Sequence, residues 1–492
     1  AGPGNVAQGE NHRSPAEYAR RHAPCAANWG IAPAMSEARL STSQIVSYSL
    51  PAFGTAMVLL SVAVYLPNYY TDELGLSAGL LSWVLMAGRL WDAVTDPVMG
   101  HVSDRTRSRW GRRRPYFLVA AIPLWIVFYF TWSPRAGLSS SGLFTHLLLC
   151  YLVLFTFWTI FWIPYISLGM EMTTHYHERT RLFGLRQGFY LLGTAVGMLA
   201  PEAFAKAAGG PRAGYPLMAF VFGGLCCMLI LAAFVRVRER PETAHSAQFP
   251  FFEGLRVTFR NRAFVVLMFT YLIALIGGSF IAPLTLYVAK YVIKAREVVP
   301  FVMLSYLAGS VVSIPIWVRM SRKIGKNRTW SIAMLLATAV YATSYYYHEG
   351  TWQLWIVLAA IVGAANGCTM TLGASISADV IDSDELETGR RREGVFMGIW
   401  SFMDKAAIGI AIFVGMQGLA AVGYVPNQDQ NETVVFGIKF LYCIVPAVCH
   451  LAAVMIFQRF PITAEVHAGI RAQLDARADA RAREQLAAGT HR

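Results

Sequence analysis

Apolar residues gather in about twelve blocks of roughly 20 to 30 residues, parted by short polar stretches. A block of that length crosses the ~30 Å hydrocarbon core of a bilayer as an α-helix. The pattern predicts helices near 43–70, 76–103, 114–133, 142–170, 179–205, 213–235, 263–292, 298–320, 328–347, 351–378, 393–423 and 434–459. The expected class is an all-α membrane protein with twelve transmembrane helices. Residues 1–42 are polar and irregular, with no apolar core of the signal-peptide kind. Met35 reads as the natural start, with residues 1–34 a disordered extension or foreign to the native protein. The tail 461–492, rich in Ala, Arg and Asp, predicts a solvated amphipathic helix.

The polar stretches alternate in charge. The loop 104–114 (DRTRSRWGRRR) holds six Arg and one Asp, and 319–328 and the linker 236–262 are also basic. Loops 134–141 and 424–433 carry little positive charge. The positive-inside rule then places both termini in the cytoplasm. The two basic loops carry Gly111 and Gly325, 214 residues apart, each after the second helix of a six-helix group. A second pair, Arg181 in ERTRLFG and Arg392 in RRREGVFMG, lies 211 residues apart. The expected domains are two pseudo-symmetric six-helix bundles, 43–235 and 263–460, joined by the cytoplasmic linker 236–262. That is the arrangement of the major facilitator fold.

Composition narrows the function. Of 492 residues, 55% are hydrophobic and 14% charged, which excludes a soluble enzyme, a secreted disulfide scaffold and a disordered chain. The net charge of +13 sits in the loops, so topology accounts for it and no nucleic-acid partner is expected. The seven cysteines show no metal or disulfide spacing. No G-x-x-x-x-G-K-[ST] or H-E-x-x-H run occurs, so neither a nucleotide nor a catalytic metal is implied.

Ionisable groups inside apolar blocks are costly and mark function. The second block holds Arg89, Asp92 and Asp96 in RLWDAVTDP, at spacings that share one helical face. Asp92 falls near mid-depth, and Thr95 adds a hydroxyl beside Asp96. Two carboxylates with hydroxyl oxygens suit an alkali cation, and the same carboxylates could carry a proton. The eighth block, the counterpart by repeat, has serines but no acid between 298 and 320. The asymmetry favours a functional site over a shared structural need. Lys405 lies near the middle of the eleventh block with Asp404 beside it, and could reach Asp92 or Asp96 from the other half. Arg186 in the fifth block is another inward candidate. At the end of the tenth block Asp379, Asp382, Asp384 and Glu385 precede Arg390, Arg391 and Arg392. With Arg181 in the matching loop they form an expected gate of ion pairs.

The run RLWDAVTDPVMGHVSDRTRSRWGRRRP resembles the second-helix motif of the melibiose-carrier family, the glycoside–pentoside–hexuronide:cation symporters. NYYTDELGLS, WTIFWIPYISL, ADVIDSDE and GYVPNQDQ fall in matching order, and the resemblance covers about 43–460. It implies that Asp92, Thr95, Asp96 and Thr159 ligate the coupling cation. It also implies that Arg186, Thr371, Trp400, Ser401 and Lys405 line the sugar cavity. The sequence departs from melibiose carriers where their two sugar-binding carboxylates fall, on Ala56 and Trp162. Neither side chain accepts hydroxyls as a carboxylate does, although Trp162 could stack on a sugar face. Related vertebrate lysophospholipid symporters share the WDA-x-TDP run.

The reading is therefore a secondary transporter in a bacterial inner membrane, working as one chain. It couples Na⁺ or H⁺ to entry of a glycoside or related small solute, with no other cofactor. A lysolipid-like substrate, a polytopic membrane enzyme and a non-transporting sensor are the alternatives.

Overall fold

The computed structural model describes residues 40–173, 176–239, 259, 261–389 and 393–489. The expected start at Met35, most of the linker 236–262 and Arg391 lie outside the described residues.

The described chain is helical throughout, in the order α1 (Thr42–Glu73), α2 (Ala78–Arg105), α3 (Pro115–Trp132), α4 (Ser140–Glu171), α5 (Tyr176–Ala207) and α6 (Pro211–Arg236). It continues with α7 (Arg262–Val292), α8 (Arg296–Val312, bent by 40° into Ile314–Ile324), α9 (Lys326–Thr343), α10 (Trp352–Thr388), α11 (Glu393–Ala421), α12 (Glu432–Phe457) and α13 (Ala464–Gly489). Polar residues set the starts. Ser77, Ser139, Asn261 and Asn431 accept from the N–H groups of Leu80, Gly142, Phe264 and Val434 at 2.9–3.3 Å. Pro115 and Pro211 occupy first-turn positions, where their missing N–H costs nothing. Gly389, in the left-handed region at φ 69°, closes α10.

Among the described residues nine helices are long and apolar enough to cross a membrane, or ten if the bent α8 is one span. The expectation of twelve is met only by adding α2 and α9, which fall short because of their charges. In α2 these are Arg89, Asp92 and Asp96; in α9 they are Lys326 and Arg328 at the start. The face of α2 answers the difficulty. Leu90, Val94 and Val98, one turn apart, are exposed as lipid-facing residues must be, while Asp92 is buried on the other side.

Helices α1 to α6 pack chiefly on one another, α1 on α5 and α6, α2 on α4, and α3 on α4 and α6. Helices α7 to α12 do the same, α8 on α10, α7 on α11 and α12, and α9 on α10 and α12. Among the described residues the main contacts between the two groups are α2 with α11, α1 with α7, and α5 with α8. Small residues permit the closest crossings. A Cβ on Gly309 or Gly363 would stand 2.1 or 2.0 Å from the carbonyl oxygens of Ala360 or Tyr306, so α8 and α10 touch backbone to backbone.

Two expectations change. Helix α10 runs ten residues past its predicted end at 378, because Val380 and Ile381 bury their side chains although the surrounding sequence is polar. The tail helix α13 is docked as well as solvated. Asp382 meets His467 (3.2 Å) and Arg471 (3.5 Å), and Arg477 donates to the Leu386 carbonyl (2.6 Å).

Candidate functional site

The centre of the site is a contact between the two helix groups. Asp92 stands midway along α2, and Thr159 on α4 donates to Asp92 Oδ1 at 3.0 Å and lies 2.9 Å from Asp96 Oδ1. Thr95 Oγ1 lies 3.4 Å from Thr159 Oγ1 and from the Asp92 carbonyl. From α11, Lys405 Nζ reaches Asp92 Oδ2 at 3.2 Å, the Asp92 carbonyl at 3.3 Å, and Asp96 Oδ2. Two carboxylates, two hydroxyls and a carbonyl thus converge on a small volume. One ammonium balances only one of the two negative charges.

Arg89 does not complete the balance. Its guanidinium lies over the Phe155 ring, 5.1 Å from the centroid, and its Nε finds no hydrogen-bond partner among the described residues. Steric fit holds α2 against α4 here, since a Cβ on Gly88 would strike the Tyr151 ring at 2.2 Å. Among the described residues no group of three or more His, Cys, Asp or Glu is placed to hold a metal ion. The donors at this site are hard oxygens, the set that suits an alkali cation.

Beside the acidic pair, α4 presents an aromatic wall. Trp158 and Trp162 stack at 5.6 Å, and Trp162 leans on Tyr165 at 5.8 Å. Arg186 lies 5.3 Å from the Phe183 ring centroid, and its buried Nη1 has no hydrogen-bond partner among the described residues. Trp400 packs on Tyr271 with centroids 4.4 Å apart. Ser401, on the next position, is exposed. The Thr371 hydroxyl turns back to the Gly367 carbonyl at 2.8 Å. Ala56, where melibiose carriers place an acid, is packed shut at 1% exposure.

Of the expected gate, Arg390, Arg391 and Arg392 lie outside the described residues, and the other members make the following contacts among the described residues. Arg181 donates to Thr42 Oγ1 at 3.0 Å. Asp379 binds Lys326 at 2.7 Å and His467 at 3.5 Å, while Asp382 binds the tail helix. At the same end Arg113 is buried between Ser103, Asp104 and Glu171. Glu239 accepts the backbone N–H groups of Arg112, Arg113 and Arg114 at 2.6–2.7 Å, a carboxylate seated at the positive end of α3. Gly111, at φ 105°, makes that seat, since a Cβ there would stand 2.5 Å from the Glu239 carboxyl carbon.

Sequence reasoning missed a second inter-group contact at the opposite end. The Asp72 side chain is fully buried and accepts from Lys290 Nζ (2.5 Å), the Tyr291 hydroxyl (2.6 Å), Thr71 Oγ1 (2.9 Å) and the Tyr424 hydroxyl. Asn427 donates to the Asp72 carbonyl and accepts from Lys290 at 2.5 Å. Asp72 and Lys290 each lie on a widened π-type last turn, of α1 and α7, which swings them toward each other. Arg296 adds a tie to Glu202 at 3.1 Å and to the Tyr215 hydroxyl at 2.9 Å. The available signal was the pair of segments NYYTDELGLS and GYVPNQDQ, which hold Asp72 and Asn427.

Known proteins resemble this chain along most of its length. The glucuronide carrier protein homolog of Escherichia coli (strain K12) is 28% identical over 452 residues, covering 89% of this chain and 96% of that protein. The isoprimeverose transporter of Lactiplantibacillus pentosus is 29% identical over 413 residues, covering 82% and 86%. A solved bacterial homolog of the human lysosomal transporter Spinster, in an inward-facing conformation, superposes with a TM-score of 0.63 at 13% identity. It covers 86% of this chain and 98% of its own, a likeness of fold. The family model described as MFS/sugar transport protein matches residues 47–464, and the chain belongs to that family, a branch of the major facilitator superfamily of membrane transporters.

Proposed function

We propose that this protein is a cation-coupled symporter that carries a glycoside across a bacterial inner membrane by alternating access. The observation that carries the reading is Lys405 of one helix group resting on Asp92 and Asp96 of the other. The pair has one negative charge to spare, and a charge that deep in a bilayer is held only by a partner. A monovalent cation entering the oxygen cage supplies it and competes with the ammonium. Because Lys405 spans the two groups, cation occupancy then biases how they rock. The five oxygen donors favour Na⁺ over H⁺ as the coupling ion.

The aromatic wall of Trp158 and Trp162 fits a sugar face, and the free Nη1 of Arg186 is a donor for hydroxyl or carboxylate oxygens. Galactoside recognition through paired acids does not fit Ala56 and Trp162. The basic loops support a cytoplasmic position for both termini, and on that reading the Asp72 network lies at the outer end and holds it closed. The chain acts as a monomer, in two six-helix domains, 43–235 and 263–460. The test is counterflow in proteoliposomes of purified protein over a panel of glycosides, with and without Na⁺. Na⁺-dependent exchange of one of them is the expected result, and exchange that ignores both Na⁺ and pH overturns cation coupling.

A further inference from the structure

Among the described residues, a few buried side-chain atoms lack a hydrogen-bond partner, and one of them is a carboxylate oxygen, Asp404 Oδ1. The others are nitrogens, which donate in these side chains, and the Ser47 hydroxyl. Asp404 stands on α11 one turn after Trp400 and immediately before Lys405. Neither the oxygen cage nor the ties between the helix groups use it.

A buried carboxylate oxygen that has given up water without gaining a donor is costly, and a donor arriving later removes that cost. The neighbours of Asp404 leave the place open. Lys405 spends its ammonium on Asp92 and Asp96 of α2. Consecutive helix positions point about 100° apart, which turns Asp404 away from that contact. The polar side chain facing it is Tyr271 of α7, whose hydroxyl is placed to donate to the carboxylate. That leaves Oδ1 without a donor. Tyr271 stacks on Trp400 with centroids 4.4 Å apart, and both rings border a cavity of about 650 Å³ in the second helix group. The open oxygen therefore lies one side chain away from space that a solute can enter. One carboxylate with one tyrosine hydroxyl is too sparse a set of oxygens for a metal cation, unlike the cage on α2. A carboxylate beside two aromatic rings suits a sugar, with C–H groups on the rings and a hydroxyl on the acid.

We propose that Asp404 is a hydroxyl acceptor of the solute site: one hydroxyl of the transported glycoside donates to Oδ1 while the sugar lies against Trp400 and Tyr271. The proposal rests on the glycoside symport reading and names a specificity-determining residue within it. Consecutive residues of α11 then read both passengers, Asp404 the solute and Lys405 the occupancy of the cation cage.

The experiment measures binding by calorimetry to the purified full chain in lipid nanodiscs, with no gradient. The probes are methyl β-D-glucoside, methyl β-D-glucuronide and methyl β-D-xyloside, and forms of each that lack a single hydroxyl. In the wild type, loss of one particular hydroxyl should weaken binding about tenfold or more, as expected for a hydrogen bond to a charged group. Asp404→Leu should weaken the parent glycoside by a similar factor, and the isosteric Asp404→Asn, which keeps a neutral acceptor, by less. The analogue without that hydroxyl should bind the wild type and both variants equally, and Na⁺-dependent thermal stabilisation should be unchanged. Should Asp404→Leu fail to fold, Asp404→Asn carries the same comparison. Unchanged affinity in the variants overturns the proposal, as does a loss of equal size for every analogue, which assigns Asp404 to packing. Na⁺-dependent exchange with wild-type affinity in both variants refutes the subsite and leaves symport standing. Hydroxyl-selective loss in a protein whose exchange ignores both Na⁺ and pH keeps the subsite and refutes symport. If no glycoside binds the wild type, both readings fail.

Discussion

Replacing Lys405 with Met should make the protein bind its coupling cation more tightly and yet lose uphill transport. Lys405 Nζ lies 3.2 Å from Asp92 Oδ2 and closer to Asp96, with the side chains 16%, 5% and 16% exposed. At that separation and an effective dielectric of about 20, one ammonium–carboxylate pair is worth about 5 kcal/mol before desolvation is subtracted. Methionine keeps the length of the side chain but removes the charge, leaving two carboxylates whose repulsion only an added cation or proton can relieve. Relaxation and water entry reduce the net effect to about 1.4–2.8 kcal/mol, or roughly ten- to a hundredfold in Na⁺ affinity. The assay is Na⁺-dependent thermal stabilisation, paired with ²²Na⁺ binding to the purified variant. Counterflow should survive, because exchange does not need cation release, while accumulation against a gradient should fail. Unchanged or weaker Na⁺ affinity in Lys405→Met would refute the competition between ammonium and cation.

Three further outcomes follow from the geometry. Asp72→Asn leaves Lys290 without its carboxylate, and since Lys290 is 23% exposed the cost is near the lower end for a broken buried pair, about 3 kcal/mol. Spin labels at the tied ends of α1 and α7 should then report longer distances, whereas an unaltered distribution removes the network from gating. Trp162→Ala should raise the KM for a glycoside about tenfold and leave Na⁺ affinity unchanged; a parallel loss of both assigns Trp162 to packing. Gly363→Val drives a side chain against the Tyr306 carbonyl, an overpacking cost of about 1–3 kcal/mol visible as a lowered melting temperature. An unshifted transition would mean that α8 and α10 separate without penalty.

The second-helix site was legible because its signal is local. Arg89, Asp92 and Asp96 stand out in an apolar run, and helical spacing alone puts the two acids together. The approach of Lys405 was open to reasoning for a similar reason, since a lone ammonium at mid-depth needs a carboxylate. Arg89 was ambiguous, because a neighbour three residues from an acid pairs with it as readily on paper as it stacks on Phe155. The Asp72 network was hidden for a different reason. Its partners come from positions 290, 291, 424 and 427, and each is an ordinary polar residue at the end of an apolar block. Only tertiary packing, helped by two π-type turns, brings them to one aspartate, three at its carboxylate and Asn427 at its backbone carbonyl. Helix α10 and the tail were misjudged because hydropathy was the guide. ADVIDSDELET is polar enough to end a predicted span, yet its acids are drawn into helix by Lys326, His467 and Arg471.

The central claim is that Asp92 and Asp96 bind the cation that drives transport. The most direct measurement is uptake in proteoliposomes under an imposed inward Na⁺ gradient, using a glycoside that the wild type exchanges, beside Asp92→Asn. The wild type should accumulate the solute above equilibrium, and Asp92→Asn should fold, lose Na⁺ stabilisation and never exceed equilibrium. Accumulation by Asp92→Asn at the wild-type level would place the coupling site elsewhere in the protein.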